Sequence, residues 1–216
     1  MKGFDQINEQ TDGLLAQGKV LPLMEAFYTI QGEGFNAGMP SYFVRIGGCD
    51  VGCHWCDVKE SWNALLHPAT PTDDILDQIL ACNAKAVVVT GGEPMNYNMN
   101  YLTSQLRENH FKTYVETSGS SPLSGDWDWI CLSPKRNKPP LQEAFDQASE
   151  LKVIIENDAD FEWAEQMAQK VNSNSHLYLQ PEWSQASKMM QRIVDFALEN
   201  PKWKISIQSH KYMRIP

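Results

Sequence analysis

Three cysteines stand in one short stretch, Cys49, Cys53 and Cys56, spaced C-x3-C-x2-C directly behind the apolar run Tyr42-Phe43-Val44-Arg45-Ile46. Thiols this close cannot all pair as disulfides. A structural zinc or a fully ligated iron–sulfur cluster needs a fourth ligand that this loop does not obviously supply. Three thiolates on a four-iron cluster leave one iron open, and an open iron can bind and activate another molecule. The loop therefore reads as a site of chemistry rather than a staple. A closed metal knot would have to recruit Cys82 or Cys131, which fall at a predicted helix end and in a predicted strand and read as buried, inert thiols.

The elements that would position such a loop follow from the apolar patterning. Candidate strands run over 23–30, 41–47, 86–90, 113–117, 129–133, 151–155, 176–180 and 204–208. Between them lie helical patterns. Thr72 is a candidate cap for a helix with Asp73 and Asp74 in its first turn and Ile75, Leu76, Ile79 and Leu80 on its apolar face. Further helices are expected over 101–109, 160–171 and 186–199, the last with Met190, Ile193, Val194 and Ala197 on one side. Alternating strands and helices predict an α/β fold with a mostly parallel sheet and right-handed crossovers. A closed eight-fold barrel takes about 250 residues, so a chain of 216 predicts an incomplete, laterally open (β/α) barrel.

Polar, glycine- or proline-bearing residues close several of these strands: Thr90-Gly91-Gly92-Glu93-Pro94, Glu116-Thr117-Ser118-Gly119, Ser133-Pro134-Lys135, Gln180-Pro181-Glu182 and Gln208-Ser209-His210-Lys211. Each alone is ordinary turn chemistry. The C-terminal ends of parallel strands share one rim, where such folds place their sites, and five together point to one. Composition narrows the partners. The chain carries 18 basic and 27 acidic residues, a net charge of −9, which disfavours direct binding to a nucleic acid backbone and favours a small-molecule substrate. Residues 1–20 form a polar N-terminal extension without the apolar core of a signal peptide, and residues 21–216 read as a single domain. No run approaches the roughly 18 apolar residues of a membrane span. With clustered, unpaired cysteines, the expectation is a cytoplasmic protein without membrane association.

The loop Cys53-His54-Trp55-Cys56-Asp57 and the Gly-Gly-Glu-Pro strand end resemble the radical S-adenosylmethionine enzymes. Phe27-Tyr28-Thr29-Ile30-Gln31-Gly32-Glu33-Gly34, Arg45, Leu132-Ser133-Pro134-Lys135, Leu179-Gln180-Pro181 and Gln208-Ser209-His210-Lys211-Tyr212 narrow this, over residues 22 to the C-terminus, to a resemblance to the 7-carboxy-7-deazaguanine synthases, or QueE family. The resemblance implies a lyase that converts 6-carboxy-5,6,7,8-tetrahydropterin to 7-carboxy-7-deazaguanine and ammonia on the route to queuosine. It implies a [4Fe–4S] cluster on Cys49, Cys53 and Cys56, S-adenosylmethionine on the open iron as a regenerated cofactor, a reducing electron donor such as flavodoxin, and a homodimer.

By the same resemblance, Trp55, Cys56, Asp57, Gly92, Ser133, Pro134, Lys135, Gln180, Pro181, Glu182 and Trp183 hold S-adenosylmethionine. Trp55 also reads as plain packing, and Gly92 as a strand-terminating turn. Ile30, Gln31, Gly32, Arg45 and Thr90 are implied substrate contacts, joined by His210 and by the terminal carboxylate of Pro216. A pterin edge offers N–H donors and a carbonyl, and its 6-carboxylate calls for a cation, so Gln31 and Glu33 are candidates for the edge and Arg45 for the carboxylate. For Arg45 a surface ion pair is the plain alternative. One position departs from the family pattern, which continues Cys-Asp-Thr with the Thr hydroxyl on Mg²⁺. Here it is Val58, which has no oxygen for a hard cation, so the expectation is a weak or altered Mg²⁺ requirement. Other readings are a radical activase or isomerase that shares the cluster, and a non-catalytic metal-binding redox sensor.

Overall fold

The computed structural model describes residues 11–216. Nine strands form one sheet: β1 (Val20–Ile30), β2 (Pro40–Ile46), β3 (Ala69–Pro71), β4 (Ala86–Gly91), β5 (Lys112–Thr117), β6 (Trp129–Leu132), β7 (Glu150–Ile155), β8 (His176–Pro181) and β9 (Trp203–Ile205). Their order is β3-β1-β2-β4-β5-β6-β7-β8-β9. From β2 across to β9 every neighbouring pair is parallel, while β1 runs antiparallel to both β2 and β3. The sheet stays open between β9 and β3, as the chain length predicts. The segment after β1 bridges toward the β9 side: Gly34 N donates to Ser206 Oγ at 2.9 Å, and Ser209 N donates to the Gly32 carbonyl at 2.9 Å.

Helices α1 (Thr72–Leu80), α2 (Asn100–Glu108), α3 (Gln142–Gln147), α4 (Ala159–Ala168), α5 (Ala186–Glu199) and α6 (Ser209–Met213) complete the fold. The apolar core divides in two. Ile75, Ile79, Leu102 and Leu106 of α1 and α2 pack on Val44, Val87, Val89 and Val115. Phe145, Ala164, Met189 and Ile193 of α3 to α5 pack on Leu151, Val153 and Leu179. Among the described residues no helix is long and apolar enough to cross a membrane.

Several expectations change. Thr72 does not cap α1: Pro71 takes that place, and the Thr72 hydroxyl donates to the Gly18 carbonyl at 2.7 Å while its N–H reaches Lys19. Asn98 Nδ2 likewise donates to the Ala16 carbonyl at 3.0 Å. Residues 16–20, which composition places in the extension, are thereby hydrogen-bonded into the domain, and 11–16 are helical. Residues 1–10 of the expected extension lie outside the described residues. Leu80 is half exposed, because it lies one step past the buried spacing of Thr72, Ile75, Leu76 and Ile79. In α5 the buried side chains are Met189 and Ile193, so the apolar stripe is rotated from the expected one. β9 ends at Ile205, since Ser206 turns its hydroxyl to Gln180 and the chain enters α6. β3, α3 and α6 are too short for a periodic signal.

Candidate active site

The strand ends meet around one cavity of about 290 Å³, open to solvent, with the cysteine loop on one wall and β5, β7 and β8 opposite. The loop leaves β2 and is shaped by backbone bonds. Gly48 N donates to the Ser61 carbonyl at 2.6 Å and Cys49 N to the Trp62 carbonyl at 3.0 Å, tying it to the turn Lys59–Trp62. From the other side Gly92 N donates to the Ile46 carbonyl and Glu93 N to the Gly48 carbonyl, each at 2.8 Å. Gly92 is glycine because this loop presses on it: a Cβ there would stand 2.4 Å from the Gly48 oxygen and 2.9 Å from Cys49 Cβ. The close approach expected of Gly92 is thus made by the protein's own backbone. Further out, Asn137 Nδ2 donates to the Gly52 carbonyl at 2.9 Å and Lys138 Nζ meets Asp50 at 2.6 Å.

Cys49, Cys53 and Cys56 all face the cavity, half-buried. Burial raises the Cys49 and Cys53 thiols above their usual range, and the neighbouring sulfurs add to this. Backbone N–H groups of Val51 and Gly52 oppose it at Cys49, as the Lys135 ammonium does at Cys53. Soft thiols sharing one cavity, with amide donors aimed at a sulfur, fit an iron–sulfur cluster. No three His, Cys, Asp or Glu side chains among the described residues close on a single ion. A cluster would not need them to, since Cys49, Cys53 and Cys56 would each hold a different iron. Cys131 is fully buried, its thiol held well above the usual range by burial, and Cys82 Sγ donates to the Ile79 carbonyl at 3.0 Å; neither lines the cavity.

Glu93, at the end of β4, anchors the rim. Its carboxylate accepts from Met95 N at 3.0 Å, Thr117 Oγ1 at 2.5 Å, Ser118 N at 2.8 Å and the Ser118 hydroxyl. This joins the ends of β4 and β5. Lys135 Nζ donates to the Ser133 carbonyl and hydroxyl at 2.5 and 2.7 Å and lies 5.6 Å from the centre of the Trp55 ring. Burial lowers its ammonium below the usual lysine range. Trp55, Asp57, Ser133, Lys135, Gln180, Pro181, Glu182 and Trp183 all line the cavity; Pro134 does not, being buried behind its neighbours. The Glu182 carboxylate accepts from Ser184 N, Ser184 Oγ and Gln185 N, so it caps a turn and is committed there. Lys211 Nζ bridges to Asp57 at 2.9 Å and stacks 4.7 Å over the Trp183 ring, which fastens α6 to the cysteine loop.

Ile30, Gln31, Gly32, Glu33, Arg45, Thr90, His210 and Pro216 also line the cavity. Gly32 leaves room for His210, whose Nδ1 would be 2.1 Å from a Cβ there. Burial lowers the His210 imidazolium below its usual range, despite the Glu33 carboxylate nearby. Thr29 Oγ1 donates to the Pro216 oxygen at 3.4 Å. Arg45 is paired through Nε with Glu25 at 2.6 Å, so the ion pair weighed as its plain alternative does form, but the side chain still reaches the cavity. Val58 lines the cavity with a side chain of carbon alone, and the Ser61 hydroxyl donates to its carbonyl at 2.7 Å.

Sequence reasoning missed Lys152 as a cavity residue, and it placed Glu116 and Gln208 in strand-end motifs of the rim without giving them a role in the site. Lys152 Nζ contacts Glu33 Oε2 at 2.5 Å and Glu116 Oε2 at 3.8 Å, Gln208 Nε2 donates to Glu33 Oε1 at 2.8 Å, and Gln31 Nε2 to Glu116 Oε1 at 2.9 Å. Burial alone would raise the Glu33 carboxyl; the Lys152 charge and the Lys152, Gln208 and Gln180 hydrogen bonds bring it down to about 2. The available signal was a charge inside the apolar strand Glu150-Leu-Lys-Val-Ile-Ile155.

Three thiols behind β2, over a rim of parallel strand ends, define the class. The profile of the radical SAM superfamily matches residues 43–137. The chain is 57% identical over 200 residues to 7-carboxy-7-deazaguanine synthase of Flavobacterium psychrophilum, covering 93% of this chain and 95% of that one. It is 42% identical over 194 residues to the enzyme of that name from Synechocystis, covering 90% and 93%. The crystal structure of QueE from Escherichia coli superposes with a TM-score of 0.78 at 28% identity, covering 89% of this chain and 96% of that one. The chain belongs to the 7-carboxy-7-deazaguanine synthase family, and that membership implies a [4Fe–4S] cluster and S-adenosylmethionine.

Proposed function

We propose that the protein is a carbon–nitrogen lyase that contracts the ring of 6-carboxy-5,6,7,8-tetrahydropterin to 7-carboxy-7-deazaguanine with release of ammonia. One observation carries the reading: the three cluster thiols and a wall of buried carboxylates and amides face the same cavity. When bound, the cluster and S-adenosylmethionine supply a carbon-centred radical able to take a hydrogen atom from the substrate. The protein's part is to place and shield. Ser133, Lys135, Gln180 and the Gly92 carbonyl, all at the cavity, are the groups that would hold the cofactor beside the thiols. Gln31 and Glu33 face the substrate's N–H edge and Arg45 its carboxylate, with Ile30, Thr90, His210 and Pro216 around them. Helix α6, fastened through Lys211, limits water.

Val58 leaves the expected Mg²⁺ position without an oxygen, so Mg²⁺ plays a weaker part here. A low-potential donor such as flavodoxin, a homodimeric state and a cytoplasmic location complete the proposal. The test is anaerobic reconstitution followed by assay with the carboxytetrahydropterin. A brown protein that forms 7-carboxy-7-deazaguanine and ammonia, with S-adenosylmethionine recovered rather than consumed, is expected. A colourless zinc-bound protein, or cofactor cleavage with no deazaguanine, overturns the reading.

A further inference from the structure

The wall facing the cysteine loop contains a buried cation paired with two carboxylates. Lys152 projects from β7 with 5% of its side chain exposed, between Glu33 (13%) from the segment after β1 and Glu116 (24%) from β5. Its sequence neighbours Leu151 and Val153 point the other way, into the core beneath the helices. Amides complete the group: Gln208 holds the second oxygen of Glu33, and Gln31 the second oxygen of Glu116. Burying three charges on one wall carries a desolvation cost, and apolar residues of similar size commonly serve stability as well or better. Stability alone therefore gives no reason for this lysine.

We propose that Lys152 is a positioning residue: its ammonium, held between Glu33 and Glu116, fixes both carboxylates as paired acceptors for the N–H donors along one edge of a bound amino-pyrimidinone ring. This rests on the substrate reading above. The geometry supports it, because both carboxylates reach the cavity while Lys152 occupies the space between them. Without the ammonium, two carboxylates on one wall would repel each other, and burial would favour the protonated acid, which donates where the ring also donates. Other charged or titratable groups face this set: Glu150 from β7, Cys131 from β6, His210 from α6 and Lys135 beyond β6. All remain in a Lys152 variant, so a comparison with the unaltered protein isolates the ammonium.

The test uses the cluster-loaded protein with Lys152→Met and Lys152→Arg, and the redox-stable 6-carboxypterin as probe. For Lys152→Met the dissociation constant of the probe is expected to rise about tenfold near pH 8 and about tenfold again toward pH 6, where unpaired carboxylates take up protons. Binding by the unaltered protein and by Lys152→Arg should change less than about twofold over that range, and S-adenosylmethionine affinity should hold in all three. Unchanged probe affinity in Lys152→Met, or parallel loss of probe and S-adenosylmethionine binding, overturns the proposal. If the unaltered protein itself ignores the probe, the substrate reading fails instead. Lys152 is then judged by ¹³C NMR of the glutamate carboxyls in ligand-free protein: a titration above about pH 5 that appears in Lys152→Met and vanishes in Lys152→Met/Glu33→Gln supports it, and its absence overturns it.

Discussion

The two walls of the cavity are built on opposite plans. The cysteine wall is a loop, half-buried, whose shape comes from backbone hydrogen bonds to the turn at 59–62 and to Gly92-Glu93. The facing wall sets Lys152 and Glu116 on strands β7 and β5 against Glu33 from the segment after β1, charged side chains paired with one another and mostly withdrawn from water. A metal cluster brings its own charge and bonds, so its wall needs only to present three thiols at the right places. A substrate recognised by hydrogen bonds needs acceptors already oriented and ionised, and rigid strands supply that.

The contrast can be broken from either side. Replacing Cys49, Cys53 or Cys56 by alanine should have the largest effect: iron content falls, brown colour is lost and 7-carboxy-7-deazaguanine formation disappears, all measurable on the anaerobically reconstituted protein. Glu93→Ala should damage the frame that joins the walls. It leaves the Ser118 and Met95 N–H groups and the Thr117 hydroxyl without their buried acceptor, on the order of 3 kcal/mol, or a melting temperature lower by about 10 °C; a shift under about 2 °C would contradict this.

Glu33→Gln should spare cofactor binding and raise the KM for the pterin about tenfold to a hundredfold, the size of a lost charge-assisted hydrogen bond. The pH sign follows from the same pairing. With the folded Glu33 carboxyl at about 2 against 4.5 for the free group, its contribution to stability is complete above about 4.5 and is lost as pH falls toward 2. Acid unfolding monitored by circular dichroism should be less steep in that interval for Glu33→Gln. Smaller still, Lys211→Met should alter stability by less than about 1 kcal/mol, since Asp57 is largely exposed, yet raise the pterin KM a few-fold by loosening α6. The smallest effect is Mg²⁺ stimulation, expected below about twofold here and larger in Val58→Thr, which restores a hard oxygen; a Mg²⁺ titration of turnover decides it.

The sheet was legible because its strands are apolar runs closed by glycine, proline and polar residues, as at Val87-Val88-Val89-Thr90-Gly91-Gly92. β3 and α6 were not, since three and five residues carry no period. In the site, the thiols and the motifs at strand ends were readable from local spacing. Lys152 was not assigned to it, and Glu116 only as part of a strand-end motif, because the role of the pair depends on β5, β7 and the segment after β1 converging, a relation between positions far apart in the chain. Arg45 shows the converse: its neighbour Glu25 is set by the β1–β2 register, which local spacing does not fix.

The bonds that hold Gly48 and Cys49 in place run entirely between backbone groups of this chain. None of these bonds runs through a metal, so the position of Cys49 is expected to be set in the folded polypeptide and cluster loading to follow folding. Iron and sulfide added to native apoprotein should restore the full cluster with no unfolding step, and loss of the cluster to oxygen should be repairable in the same way.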